Sequence, residues 1–128
     1  MKLLLDSHLL IWQIGQTRKL SAAARAYLDN PANELLFSAA SLWEIAIKYA
    51  RGRTDFRIDP RLLRRGLLDH GYSELPVTSA HAVAIGHLPP LHKDPFDRIL
   101  VAQSAAEEII LLTADPRVAQ YRGLVRGV

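Results

Sequence analysis

No cysteine occurs among the 128 residues, which excludes disulfides and thiolate metal sites. That absence suits a reducing compartment. No apolar stretch approaches the roughly 18 residues of a membrane span. The opening MKLLLDSHLLIWQIG has the superficial look of a secretion signal, but Asp6 and His8 interrupt it and no small-residue cleavage site follows. The chain therefore reads as cytoplasmic, with no membrane partner. A glycine-rich phosphate loop is also missing, and the Ser and Thr residues have no base at a diagnostic spacing. The histidines (His8, His70, His81, His87, His92) show no metal-ligand spacing and read as structural or surface groups. Among them His92 most merits attention.

At 14.3 kDa, with 49% hydrophobic residues, residues 1–128 form a single domain large enough to bury a core. The net charge of +3 is small, but its distribution is uneven. Between Lys48 and Arg65 seven basic residues stand against Asp55 and Asp59, a local charge of +5. Such a segment suits a polyanion such as RNA or DNA. On charge alone it better suits a solvated face whose Arg stems cover apolar surface.

Short apolar strands are expected at residues 2–5, 34–37, 72–77 and 109–113. Helices are expected at 8–14, from Ser21 to Leu28, over AASLWEIAIKYARG, after Asp59-Pro60 to near Gly71, over 78–86 and from Pro95 to about Glu107. In the third of these, Leu42, Ile45, Ala46 and Tyr49 share one face. A turn at Asp115-Pro116 leads to a short helix and a tail. Buried strands alternating with helices predict an α/β fold, with helices on both faces of a mostly parallel sheet.

In such sheets, ligands bind beyond the carboxyl ends of the strands. Asp6 ends the first strand, and Asp115 lies just past the last predicted one. Ser38 ends the second strand and starts the helix that carries Glu44. Asp97 lies in the first turn of the helix opened by HKDPFDRILVAQ. Four carboxylates, Asp6, Glu44, Asp97 and Asp115, are thus expected at one rim.

Each acid has a structural explanation of its own. Asp94 precedes Pro95 as a helix cap would, and Asp97 suits the helix dipole. Asp115 and Asp6 could also act as caps. Glu44 could serve a capping box from Ser41 or pair with Lys48 four residues on. Together, however, four clustered carboxylates repel unless a cation neutralises them. Oxygen ligands without cysteine point to Mg²⁺ or Mn²⁺. Such an ion activates water and stabilises charge on a phosphate, so an acidic pocket with a basic flank suggests phosphodiester cleavage.

The stretches LLLDSHLLIW, SAASLWEIAIK, HKDPFDRILVAQ and LLTADPRVAQY span almost the whole chain. In this order they resemble the PIN-domain ribonucleases, and within them the VapC-type toxins of bacterial toxin–antitoxin pairs. The resemblance implies a three-layer α/β/α sandwich and Mg²⁺- or Mn²⁺-dependent endoribonuclease activity. It implies Asp6 and Asp97 as principal metal ligands, with Glu44 and Asp115 completing the pocket directly or through water. The fourth acid belongs to the Thr-x-Asp signature, here Thr113-Ala114-Asp115. Ser7 and Thr113 would orient water or a carboxylate, and Asp94 would start the helix that aims Asp97. Lys48, Arg51 and Arg53 would position RNA or contact a partner. An antitoxin protein and a homodimer are implied partners. Two departures stand out: Asp6-Ser7 where the family commonly has Asp-Thr, and Pro116 directly after Asp115.

Two other readings remain at this stage. One is a non-catalytic module of the same fold acting with a protein partner. The other is a phosphoacceptor domain of the response-regulator kind, against which stand Ser7 and Arg117 where a second acid and a lysine would be sought.

Overall fold

Alternation along the short strands sets the layers of the molecule. The computed structural model describes residues 1–128. Its five strands are β1 (Lys2–Leu5), β2 (Glu34–Ser38), β3 (Ser73–Leu75), β4 (Ile110–Thr113) and β5 (Val125–Gly127), in the order β3-β2-β1-β4-β5. Every neighbouring pair is parallel. Leu3 aligns with Leu35 and Ile110, and Leu4 with Leu36 and Leu111.

Successive side chains of a strand point to opposite faces, so each central strand supplies both layers. Leu3, Leu5, Phe37, Ile110 and Leu112 enter one core cluster. There they meet residues of α1 (Ser7–Gly15), α2 (Ala22–Leu28), α3 (Ala39–Ala50) and α4 (Pro60–Asp69). Leu4, Leu36 and Leu111 enter a second cluster on the other face, against Leu100 and Val101 of α6 (Pro95–Glu107). A short α5 (Ser79–Ala84) packs beside α6. The expected three-layer sandwich is present.

Local chemistry fixes where the helices start and stop. Ser21, Ser38, Asp59 and Asp94 each accept a backbone N–H of the first turn of the helix that follows. Proline occupies the first position of both α4 and α6, where no N–H is needed. After α3 and α4, Gly52 (φ +72°) and Gly71 (φ +85°) adopt the left-handed conformation that glycine accepts without strain.

Four expectations need correction. The strand expected over 72–77 is only Ser73–Leu75, because Pro76 has no N–H to continue the ladder. The helix expected over 78–86 ends at Ala84 and continues as a 3₁₀ turn, Ile85–His87. After Pro116 there is only a 3₁₀ turn, Val118–Gln120, and the expected tail is β5 paired with β4. On α3, Tyr49 is exposed, while Ser41, Glu44 and Ile45 are buried. Glu44 is buried there because it faces a polar pocket, where Ser7 and Lys48 satisfy its carboxylate.

Candidate active site

The chain leaves β1 for β2 on one side of the sheet and reaches β4 on the other, so β1 and β4 flank the topological switch point. Asp6 follows β1 directly and is 95% buried, with only 5% of its surface exposed. Its Oδ1 accepts the Leu9 N–H at 3.0 Å and caps α1. Its Oδ2 accepts the Thr113 hydroxyl at 2.6 Å and the Ala114 N–H at 3.0 Å. Burial pushes the Asp6 pKa up, against the opposing pull of these hydrogen bonds. The same residue is thus both a cap and a buried acid.

Glu44 is delivered by α3, whose start is fixed by the Ser38 cap rather than by Ser41. Its Oε1 accepts the Ser7 hydroxyl at 2.6 Å and its Oε2 pairs with Lys48 Nζ at 2.6 Å. Lys48 also lies over the Phe56 ring, 4.6 Å from its centre. Asp97 sits in the first turn of α6, three residues past the cap Asp94, whose Oδ1 accepts the Phe96 and Asp97 N–H groups. Asp115 follows β4 and is gripped by Arg117, whose Nη2 lies 3.0 Å from its Oδ2. Partial burial works to raise the Asp115 pKa, but the hydrogen bonds and charge of Arg117 outweigh it and hold it below the usual carboxylate range.

One cavity of about 310 Å³ joins these groups. Asp6, Glu44, Asp97 and Asp115 all line it, as do Asp94, Ser7, Lys48 and Arg53. Thr113 acts from behind through Asp6, and Arg51 is an exposed cap residue of α3 outside the cavity. A larger hollow of about 610 Å³ lies between α6 and the C-terminal segment, but no acid or histidine lines it. Chemistry, not size, marks the site.

The side chains at the site that sequence does not assign to it are His8, Asp55, Phe56, Arg117 and His92. His8, on the first turn of α1, lines the cavity with its ring 5.0 Å from that of Phe56. Arg117 was weighed only as a mismatch to another class of domain. His92 was read as structural or surface, yet its Nε2 lies 2.7 Å from Asp97 Oδ2 and its side chain is nearly buried. Arg98 secures the loop that carries His92 by donating to the carbonyls of Ile85, Pro89 and His92 and to the Tyr121 hydroxyl. The signal available in sequence was His92-Lys-Asp94 immediately before the helix start.

A divalent cation fits this donor set. His92, Asp94 and Asp97 each turn one ligating atom to within 4.8 Å of the others. Burial, then the negative charges of Asp94 and Glu44, push the Asp97 pKa up to about 6 despite the His92 hydrogen bond. A cation would relieve that concentration of charge. Asp6, Glu44 and Asp115 share the cavity but not this tightest cluster, each being held by protein donors of its own.

Known proteins share the family and the fold. Residues 3–124 match the PIN domain family. The chain is 29% identical over 119 residues to ribonuclease VapC22 of Mycobacterium tuberculosis, covering 93% of this chain and 91% of that protein. Its fold is similar to VapBC2 from Rickettsia felis bound to a DNA fragment from their promoter (TM-score 0.73, 13% identity, 99% of this chain and 98% of that chain). It is also similar to DNA-bound VapBC from Salmonella typhimurium (TM-score 0.68, 14% identity, 100% and 97%).

Proposed function

Because the chain belongs to the PIN domain family, we propose that it is a Mg²⁺- or Mn²⁺-dependent endoribonuclease and the toxin of a bacterial toxin–antitoxin pair. One observation carries the reading: four carboxylates from distant parts of the sequence meet in one pocket at the switch point of the sheet. Similarity to a ribonuclease of the VapC type supports RNA as the substrate. Similarity to VapBC assemblies supports an antitoxin protein as partner; the reading also includes a homodimer and a cytoplasmic setting.

Asp6 and Asp97 are the principal metal ligands in this reading, and Glu44 and Asp115 complete the acidic pocket directly or through water. A divalent ion held by these groups would supply Lewis acidity toward a phosphate and toward water. The protein does the positioning. Thr113 and the Ala114 N–H hold one Asp6 oxygen in place, and Ser7 does the same for Glu44. Asp94 fixes the first turn of α6, and so the approach of Asp97. Lys48 and Arg53 supply positive charge on one flank of the pocket for the RNA backbone. Water forms a bond to phosphorus, the bond to the 3′ oxygen breaks, and that oxygen takes a proton. The products are a 5′-phosphate and a 3′-hydroxyl.

Expression of wild type and Asp97→Asn in a bacterial host, with total RNA examined, separates a nuclease from a binding module. Growth arrest with fragmented RNA for wild type alone is expected. Equal arrest by both proteins with intact RNA would mean a non-catalytic partner-binding role.

A further inference from the structure

Beside the acidic pocket lies a second hollow, of about 270 Å³, that shares His8, Asp115 and Arg117 with it. Its remaining lining is Trp12, Ala114 and Pro116. Trp12 and His8 come from one face of α1, four residues apart, with ring centres separated by 5.8 Å. Leu9, Leu10 and Ile11 of the same helix are buried, whereas Trp12 is only partly so. Its indole packs against the core and also lines the hollow. Pro116 lines the same hollow, so Trp12, Ala114 and Pro116 give it apolar surface, with the exposed Arg117 guanidinium where it meets the acidic pocket.

We propose that this hollow is the subsite for one nucleobase of the RNA, stacked on the Trp12 indole beside Pro116 while an adjoining phosphate occupies the acidic pocket. The inference rests on the nuclease reading above and adds a residue, Trp12, that positions the substrate. Three observations favour a base over other occupants. The hollow is continuous with a pocket suited to phosphodiesters. It combines an aromatic face with a cation, the pairing by which proteins hold single-stranded nucleic acid. Stacking also needs no sequence-specific donors, and Trp12 and Pro116 offer mainly surface.

Trp12 and Trp43 are the two tryptophans, and Trp43 lines neither hollow. Trp43→Phe therefore isolates the Trp12 emission in the full-length protein. Rapid mixing with a single-stranded RNA in Mg²⁺, read before turnover, should quench that emission saturably. The same RNA with abasic sites, or as a duplex, should bind without quenching. Trp12→Leu should weaken single-strand binding by about tenfold, and Trp12→Phe should restore most of it. Binding of single-stranded RNA with no quench, equal quenching by the abasic RNA, or unchanged affinity in Trp12→Leu would each overturn the subsite while leaving the nuclease reading intact. No binding of any RNA, with or without Mg²⁺, would remove both.

Discussion

Asp97 carries an electrostatic burden that the metal-free fold must bear. Its pKa is raised from the ordinary 3.8 to about 6, first by burial and then by Asp94 and Glu44. Because the folded state binds this proton more tightly than the unfolded chain, the group favours folding fully below pH 3.8. That contribution disappears as pH rises through about 6. In EDTA at pH 7.5, Asp97→Asn should therefore be more stable than wild type by up to about 2–3 kcal/mol, with the difference vanishing below pH 4. Urea denaturation across pH measures this, and a destabilised Asn variant at pH 7.5 would contradict it. Ser7 makes a complementary case. Ser7→Ala strands the buried Glu44 Oε1 and should cost about 1–3 kcal/mol, while Ser7→Thr keeps the hydroxyl and should cost far less. A shift of the urea midpoint in Ser7→Ala alone is the expected result.

At the scale of elements, the first turn of α6 is where structure and chemistry share residues. Both N–H groups that Asp94 caps are bound to Oδ1, so Asp94→Asn keeps the acceptor and removes only charge. It should hold stability and lower cleavage by about tenfold, as loss of a group that tunes a ligand does. Asp94→Ala should also lose about 1 kcal/mol of folding stability. Complete inactivation by Asp94→Asn, as expected for Asp97→Asn, would make Asp94 an essential ligand. Asp-Pro pairs made these helix starts readable in sequence, and apolar runs marked β1, β2 and β4. β5 was not readable: Val125-Arg-Gly127 is too short and too polar to signal a strand, and it exists because the β4 edge offers a ladder. The inner face of α3 was misread for a related reason. Hydrophobic spacing points to Tyr49, but the inner face carries Ser41 and Glu44, of which Glu44 lines the neighbouring pocket.

Across the whole molecule, the parallel order β3-β2-β1-β4-β5 makes one site from residues more than a hundred positions apart. The four acids were legible because strand ends and helix starts predict a common rim. His92 was not, since its role depends on how the loop before α6 returns to that rim, and His8 and Arg117, two residues after Asp6 and Asp115, carry no spacing that marks them as pocket residues. A saturating cation should stabilise the assembled pocket by about 2.7 kcal/mol at a hundredfold excess over its dissociation constant, offsetting the burden on Asp97. The measurement that bears most directly on the site is RNA cleavage by purified, partner-free protein in Mg²⁺ or Mn²⁺, after EDTA and after metal is restored, beside Asp6→Asn. Cleavage that follows the metal and is absent from Asp6→Asn is the expected result. Cleavage that persists in EDTA, or is equal in the variant, would contradict a carboxylate-held metal as the source of the chemistry.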